Sequence, residues 1–256
     1  MKEIKLHISN WIKDYAKKNK KTSLIIGVSG GIDSAVTSTL CAETNVHTIA
    51  VSMPINQNTN QLNRASDHIN WLNKNYKNVE KKEIDLSNVF HEFKSTLGKD
   101  FQNDLALANT KARIRMTTLY QIASSRNGLV VGTGNKIEDF CIGFFTKYGD
   151  GGVDISPIGD LMKSEVFSLA KELNIIKSIQ TARPTDGLWN DNRTDEDQIG
   201  ATYIELEKAI KNIKSNNSNL TDREKEVIQI YLKAQKSNNH KMNPIPVCII
   251  SNEIIG

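Results

Sequence analysis

The residues of this chain that could do chemistry begin with the run Ser29-Gly30-Gly31-Ile32-Asp33-Ser34. Its two adjacent glycines let the backbone approach a ligand closely and turn its amides toward that ligand. The serine hydroxyls add hydrogen-bond donors, and a helix predicted to follow directs its positive N-terminus at the same place, which predicts an anion site. Because Asp33 would repel a phosphate directly, we expect it to hold a magnesium ion that bridges to the phosphate.

This loop differs from two common nucleotide-binding motifs. No lysine closes it, so it is not the G-x-x-x-x-G-K-[ST] loop of the P-loop proteins, and it contains no G-x-G-x-x-G run. A bare S-G-G turn is also typical of an ordinary connection between a strand and a helix. The full S-G-G-x-D-S string after an apolar strand is more specific, and it resembles the pyrophosphate-binding loop of the N-type ATP pyrophosphatases. These enzymes cleave ATP between its α- and β-phosphates.

A second group of motifs follows the loop along the chain. They are NTKARIRMTTLY (109–120), GTGNKIE (132–138), GFFTKYGDGGVD (143–154), SPIGDLMK (156–163) and RPTDGLW (183–189). In this order and spacing they are similar to the NAD synthetase family, and the similarity covers the chain from about Leu24 to Lys241. Glutamine-dependent members carry an additional nitrilase-like domain about as large as this whole chain. The resemblance is therefore to the ammonia-dependent form, and we expect residues 1–256 to form a single domain without a glutaminase domain.

The resemblance implies an activity and its participants. The enzyme would be a carbon–nitrogen ligase that activates the carboxylate of deamido-NAD with ATP as an adenylate and amidates it with ammonia. The products would be NAD, AMP and pyrophosphate, in the last step of NAD biosynthesis. The resemblance implies Mg²⁺ as cofactor, ATP as co-substrate and a homodimer with its substrate site at the subunit contact. The chemistry fits these partners, because two anions must be brought together and cations stabilise the charge that spreads in the transition state.

The resemblance also implies roles in binding ATP. The phosphates are expected to contact Gly27, Val28, Ser29, Gly30, Gly31, Ile32, Asp33 and Ser34, with further nucleotide contacts from Thr133, Lys163 and Thr185. Asp33, Lys163 and Ser34 are the expected catalytic residues. Asp33 and Glu138 match the two magnesium carboxylates. The chain has one more residue between Glu138 and Gly143 than many relatives, which leaves Asp139 as an alternative ligand.

The contacts to deamido-NAD form the other part of the implied site. They are Arg115, Lys147, Asp154 and the pair His240-Lys241. Each has a purely structural alternative: Arg115 could pair with a surface acid, Lys147 with Asp154, and His240-Lys241 could lie in a solvated loop. The polar stretch from Thr185 to Asp197 is expected to be a surface loop that closes late over the substrates and keeps water from the adenylate.

The elements that must position these residues follow from the hydrophobic pattern. Apolar runs predict strands at 23–28, 47–54, 79–87 and 128–135, separated by segments of helical periodicity. Strands that alternate with helices predict an α/β fold. We expect a doubly wound, mostly parallel five-stranded sheet with helices on both faces, Rossmann-like and of the adenine nucleotide alpha hydrolase type. Ligands bind beyond the carboxyl ends of such strands, where the SGGIDS and GTGN segments both fall.

The outer helices are predicted with less sharply marked ends. Residues 4–15 and 105–125 have amphipathic spacing, and a capping signal at Thr194 predicts a helix through about Ile213. The last predicted helix runs from Leu220 to Lys236 with Thr221 as its N-cap, and the SNNH stretch that follows it is expected to be a connector.

Composition narrows the class of protein. The chain of 256 residues carries 33 basic and 29 acidic side chains, a formal charge of +4, which predicts no nucleic-acid partner. The cysteines are far apart, so neither a zinc site nor a disulfide framework is expected, and the absence of a long apolar run predicts no membrane span. We expect a cytoplasmic location. Two alternatives remain: a tRNA-modifying pyrophosphatase, which would be expected to add an RNA-binding module, and a nucleotide sensor, which would not need Asp33 and Glu138.

Overall fold

The computed structural model describes residues 1–56, 59–185, 193–251 and 254. Its sheet has four parallel strands in the order β3-β2-β1-β4. The strands lie where the apolar runs predict them: β1 (Ser23–Gly27), β2 (His47–Ser52), β3 (Val79–Glu83) and β4 (Gly128–Val131). The change of direction in strand order falls between β1 and β4, which are neighbours although β2 and β3 lie between them in sequence.

The expected fifth strand is reduced to one isolated bridge, so the prediction of five strands was wrong by one for the described residues. Ile155 forms one isolated parallel bridge with Val131, and the Gly132 amide donates to the Ile155 carbonyl at 2.8 Å. The next amide of this ladder would belong to residue 157, which is proline and has no N–H to donate. The pairing therefore ends after one step.

Helices cover both faces of the sheet, as predicted. One face buries α1 (Lys2–Lys18), α2 (Ile32–Glu43), α3 (Thr59–Asn75), α6 (Lys163–Glu172) and α7 (Lys177–Gln180). The other face buries α4 (Ser87–Leu97) and α5 (Asp104–Ser125), with a 3₁₀ turn (Lys99–Phe101) between them. Both layers are built from fully buried aliphatic side chains, among them Leu24, Ile26, Ile49 and Leu72.

A third cluster of buried side chains lies outside the two layers. It joins a π-helix (Lys136–Ile142) to α9 (Tyr203–Lys214) and α10 (Asp222–Met242) through Ile137, Leu206, Val227 and their neighbours. Because the π-helix follows β4 directly, this cluster attaches the C-terminal helices to the carboxyl end of the sheet. None of the helices in the described ranges has the length and apolar character needed to cross a membrane.

Two predicted boundaries in the C-terminal third are wrong. The helix that opens at Thr194 is α8 (Asp195–Ile199), and it stops because Gly200 takes a left-handed φ of 84°. A new helix, α9, then begins at Tyr203 instead of one helix continuing to Ile213. The last helix starts after the Thr221 N-cap, as predicted, but it continues past Lys236 to Met242, so the SNNH stretch is helical and not a connector.

Candidate active site

A pocket opens beyond the carboxyl ends of β1 and β4, at the change of direction in the strand order. Open α/β sheets bind ligands at this position, because the crossovers leave a crevice there. The first turn of α2 lies at its base and the loop after β4 along its side. Its lining includes all of residues 27–34 together with Thr133, Glu138, Lys163 and Thr185. These predicted contacts to ATP are therefore brought together.

The SGGIDS turn is held in shape by its own side chains. Gly30 has a φ of 82°, and a Cβ at this position would lie 2.5 Å from the Gln61 carbonyl oxygen, so α3 packs directly on the turn. The Ser29 amide donates to Ser34 Oγ at 3.1 Å, and that hydroxyl donates to the Gly31 carbonyl at 3.0 Å. Ser34 therefore closes the turn as well as lining the pocket, and the N-terminus of α2 faces the cavity.

Two carboxylates converge on one ammonium at the centre of this pocket. Lys163 Nζ lies 2.6 Å from Asp33 Oδ2 and 2.8 Å from Glu138 Oε1. Asn135 Nδ2 donates to the other oxygen of Asp33 at 3.0 Å. These residues come from three parts of the chain: Asp33 from the start of α2, Lys163 from the start of α6, and Asn135 and Glu138 from the segment after β4. The Lys163 side chain is 3% exposed, so this is a buried cluster and not a surface ion pair.

Burial sets the electrostatics of this cluster. Burial raises the pKa of Asp33, with Glu138 adding to the effect and the Lys163 ammonium only partly offsetting it. Burial also opposes ionisation of Glu138, but the charge and hydrogen bond of Lys163, with a hydrogen bond from Tyr203, hold its pKa below the ordinary value. For Lys163 burial works against the charge, yet the two carboxylates keep its pKa above the ordinary value. The single ammonium of Lys163 therefore does not balance the negative charge that the two carboxylates carry when both are ionised.

The segment between Glu138 and Gly143, where the sequence predicts one extra residue, belongs to the π-helix Lys136–Ile142. Such π-turns are rare and occur frequently at functional sites. The widened turn brings the Phe144 amide to the Glu138 carbonyl at 2.7 Å, and Gly143 ends the helix with a left-handed φ of 63°. Glu138 reaches Lys163, whereas the carboxylate of Asp139 packs against Gly134, where a Cβ would lie 1.8 Å from its Oδ2. Both acids line the pocket.

Thr185 lies at the edge of the same pocket, with Ala182, Arg183 and Pro184. Its hydroxyl donates to the Arg193 carbonyl at 3.1 Å, which links the start of the predicted loop to a residue four positions before the predicted end at Asp197. Residues 186–192 lie outside the described part of the chain. They include most of the 183–189 motif and the middle of the Thr185 to Asp197 loop, so its predicted closure over the substrates stays a prediction.

A second pocket lies on the outer side of α5 and shares Met116 and Val153 with the first. Its walls carry Lys147 and Lys241 among the aromatic side chains Tyr120, Phe145 and Tyr148. Lys147 Nζ donates to the His240 carbonyl at 2.9 Å, and Lys241 Nζ donates to the Phe145 carbonyl at 2.8 Å. Because a neutral carbonyl does not cancel a charge, the Lys147 ammonium keeps its attraction for an anion, whereas the carboxylates of Asp150 and Asp139 also act on the charge of Lys241.

Three predicted substrate contacts lie elsewhere. Arg115 lines the first pocket, where its Nε donates to the Met53 carbonyl at 2.9 Å; burial lowers its pKa to about 10, so it stays charged at neutral pH. The Asp154 carboxylate accepts from the Tyr120 hydroxyl at 3.1 Å and from the Val130 amide at 2.7 Å, which ties it to β4. The His240 side chain is exposed, and its carbonyl makes the contact to Lys147.

Several residues of the first pocket were missed by the sequence analysis. Tyr203, Arg64 and Asp195 line or contact it, and Asn135 holds Asp33. Asn135 stands inside the GTGN motif, so its position was available as a signal. Nothing in the local pattern separates Tyr203 from an ordinary core aromatic residue, because it starts a helix of regular amphipathic spacing.

The donor set at the centre fits a magnesium ion that is shared with phosphates. Asp33 and Glu138 each direct one oxygen at a single cation position, where Lys163 alone leaves excess negative charge. In the described ranges no three His, Cys, Asp or Glu side chains converge as a complete metal site. Mg²⁺ is commonly bound by one or two carboxylates, with water and substrate phosphates as its other ligands, so two carboxylates suffice.

Comparison with known proteins places the whole chain in one family. Residues 4–245 match the family model described as NAD synthase. The NH(3)-dependent NAD(+) synthetase of Mycoplasma genitalium is 39% identical over 236 residues, which are 91% of this chain and 90% of that protein.

Two solved structures share the fold over nearly the whole chain. NMN synthetase from Francisella tularensis superposes with a TM-score of 0.84 at 32% identity, covering 98% of both chains. The NH3-dependent NAD synthetase from Campylobacter jejuni superposes with a TM-score of 0.79 at 27% identity, covering 97% of this chain and 99% of that one.

Proposed function

This chain belongs to the NAD synthase family, and from that membership we propose how its two pockets divide the reaction. The enzyme is an ammonia-dependent carbon–nitrogen ligase that converts deamido-NAD to NAD with ATP. The first pocket binds ATP and the second binds deamido-NAD. The observation that carries this division is the Asp33–Lys163–Glu138 cluster at the N-terminus of α2, because two carboxylates against one ammonium suit a metal ion that is shared with phosphates and not a neutral ligand.

The first chemical step joins two anions. An oxygen of the nicotinate carboxylate attacks the α-phosphorus of ATP, the bond from that phosphorus to the bridging oxygen breaks, and pyrophosphate leaves. The amides of the SGGIDS turn and the N-terminus of α2 hold the β- and γ-phosphates. The Lys163 ammonium stabilises the charge that grows on the departing oxygen, and Arg115 lies in the same pocket to offset the negative charge of the two substrates.

Magnesium belongs to this proposal. Asp33 and Glu138 would hold the ion, and its chemistry is to neutralise the phosphate oxygens and keep the triphosphate in line with the attacking carboxylate. Asp139 stays an alternative ligand by sequence, but Glu138 is supported by its contact to Lys163.

The second step needs a nucleophile and an exit for AMP. Ammonia attacks the carbonyl carbon of the adenylate, the bond from that carbon to the phosphate oxygen breaks, and the nitrogen loses a proton as AMP departs. The reaction requires uncharged ammonia, so a group near the pocket has to accept a proton from ammonium. Water must be excluded until this step is complete, since it would hydrolyse the adenylate.

A homodimer is the oligomeric state that we propose. Exposed apolar residues recur every four positions along α4, the 3₁₀ turn and the start of α5, an arrangement called here the apolar stripe: Val89, Phe93, Leu97, Phe101 and Leu105, each between 47% and 70% exposed. Exposed apolar side chains in one continuous stripe are typical of a protein contact, and the stripe borders α5, which carries both pockets. A mass measurement in solution that gave a stable, active monomer would rule this out. The cytoplasmic location stays a prediction.

A second substrate is suggested by the Francisella tularensis relative, which is an NMN synthetase. The corresponding reaction would amidate the deamido form of NMN, a substrate that lacks the adenylyl half of deamido-NAD. The same carboxylate chemistry and the same first pocket would serve both substrates. The ratio of kcat/KM for deamido-NAD to that for the mononucleotide separates the two candidates, and we expect it to exceed one.

Product analysis tests the proposal directly. Protein, ATP, Mg²⁺ and deamido-NAD should give AMP and pyrophosphate, and addition of ammonia should give NAD in equal amount to AMP. Omission of deamido-NAD should stop pyrophosphate release. If tRNA stimulated pyrophosphate release and deamido-NAD did not, the enzyme would be a tRNA-modifying pyrophosphatase instead. Nucleotide binding without any turnover would indicate the sensor alternative.

A further inference from the structure

Within the described part of the chain, the aromatic side chain of Tyr203 contacts both members of the buried ion pair between Lys163 and Glu138. Its hydroxyl donates to Glu138 Oε1 at 2.5 Å, and the Lys163 ammonium lies 4.6 Å from the centre of its ring. The same hydroxyl is 3.3 Å from Asp195 Oδ2 on α8. The side chain is 4% exposed, so these contacts are made away from bulk water.

The two contacts act on different properties of the cluster. A phenol that donates to a carboxylate fixes the orientation of that carboxylate and stabilises its charge. A ring face beneath an ammonium attracts the charge and limits the positions that the flexible lysine chain can take. Burial, with Glu138 and Asp195 close by, raises the pKa of the phenol far above its ordinary range, so the hydroxyl keeps the proton that it donates.

Hydrogen bonds also fix the backbone around Tyr203. Thr202 is the N-cap of α9 and forms a capping box with Glu205, and the Tyr203 amide donates to Glu196 Oε1 at 2.9 Å. One turn later on the same face of α9, Glu207 accepts from the Ser164 amide at 2.9 Å and from its hydroxyl at 2.7 Å. Helix α9 therefore contacts two consecutive residues in the first turn of α6, Lys163 and Ser164.

We propose that Tyr203 is a positioning residue of the ATP site, whose hydroxyl orients Glu138 for the magnesium ion and whose ring supports Lys163 against the phosphates. This role rests on the proposed function and deepens it. It also explains why α9, which lies far from the SGGIDS turn in sequence, packs against the adenylation centre.

The test compares Tyr203→Phe with Tyr231→Phe. Tyr231 is a matched control, because it is buried in the same cluster and its hydroxyl accepts a hydrogen bond from Gln235, away from the pocket. The probe is α,β-methylene ATP, which cannot be cleaved between its α- and β-phosphates, with binding measured by calorimetry with and without Mg²⁺. We expect Tyr203→Phe to weaken binding about tenfold with Mg²⁺ and less than about twofold without it, since groups that orient metal ligands typically contribute about 10- to 100-fold.

Kinetics provide the second measurement on the same variants. Tyr203→Phe should lower kcat by about 10- to 100-fold while the KM for deamido-NAD changes by less than about threefold, because that substrate is bound by other elements. Tyr203→Leu removes the ring as well, so it should also weaken binding of the analogue without Mg²⁺. Tyr231→Phe should leave the binding constants and kcat unchanged.

Several outcomes would overturn the role of Tyr203. They are unchanged magnesium-dependent binding in Tyr203→Phe, equal weakening with and without Mg²⁺, and an equal effect in Tyr231→Phe. The ratio of the two binding constants is taken within one variant, so a smaller folded fraction does not alter it. A wild-type protein that binds the analogue with Mg²⁺ but does not amidate deamido-NAD would refute the proposed function, while the binding ratio would still decide the role of Tyr203.

Discussion

The two pockets on either side of α5 handle charge in opposite ways. At the centre of the first pocket, charged side chains pair with one another: Lys163 pairs with Asp33 and Glu138, and Asn135 and Tyr203 hold the two carboxylates. In the second, Lys147 and Lys241 donate to backbone carbonyls, and the carboxylates of Asp150 and Asp139 also attract the Lys241 charge. The first pocket is therefore assembled before substrate arrives, whereas the second offers positive charge to an incoming anion.

The two pockets also differ in the elements that form them. The first pocket is formed by strand ends and helix starts around the sheet, where a shift of one residue would disturb the core. The second is formed by the outer face of α5, the glycine-rich segment after Phe145 and the end of α10. A centre that must stabilise a transition state gains from rigid placement, since reorganisation during the reaction would cost energy. A site that mainly captures substrate does not need the same rigidity.

The largest effect that this comparison predicts is at Asp33. Asp33→Asn is nearly isosteric, but it removes a charge that Lys163 and the metal ion require, so we expect turnover to fall at least about a thousandfold. Pyrophosphate release measures this, and thermal unfolding should show that the fold is intact. Asp160→Asn is the control, because Asp160 pairs with Lys136 at the surface. Unchanged kcat in Asp33→Asn would remove Asp33 from the metal site.

A smaller effect is expected when the pH is lowered, because a buried histidine packs against the helix that carries Asp33. The property that changes is the stability of the fold. His68 on α3 is fully buried against α2, with its Nε2 3.0 Å from Ser38 Oγ, and burial lowers its pKa to about 4. Below about pH 6.5 the His68 side chain binds a proton in the unfolded chain but not in the folded chain. The free energy of unfolding therefore keeps its full value from this group above that pH and falls as the pH is lowered from about 6.5 to about 4. The loss amounts to about 3 kcal/mol.

Denaturant unfolding across this pH range checks the assignment to His68. The free energy of unfolding of the wild type should fall more steeply toward acid than that of His68→Gln, by about one proton. Equal slopes would mean that another group titrates there. Because Ser38 donates to the Ala35 carbonyl, the histidine donates through Nε2, and glutamine can keep this donor.

The smallest effect is expected in the second pocket. Lys147→Ala should raise the KM for deamido-NAD about tenfold and leave kcat and the KM for ATP nearly unchanged. The reason is that Lys147 is expected to bind deamido-NAD equally well in the ground state and in the transition state. The effect should shrink as salt concentration rises. Lys233→Ala, an exposed lysine on α10, is the control. A fall in kcat with unchanged KM would show that the two pockets are not divided as proposed.

The residues that line the first pocket were predictable from sequence to the extent that they stand in continuous motifs. The SGGIDS run and the four strands are local patterns, since strand pattern and turn chemistry are properties of a few neighbouring residues. The resemblance to NAD synthetases extended this to Thr133, Glu138, Lys163 and Thr185, and all four line one pocket with the turn. The fifth strand failed on a local detail, because Pro157 ends the pairing after Ile155.

By itself the sequence determined the class of fold, the place of the SGGIDS turn and the types of the acids and the lysine around it, because each depends on short-range pattern and residue type. Only the tertiary structure decided which residues share a pocket. Arg115 lines the first pocket and Lys147 the second, although both were expected to bind one substrate. Tyr203 reaches Glu138 across 65 positions of sequence, and Asp33 meets Lys163 across 130. Contacts over such separations depend on how the helices pack, which no local pattern encodes.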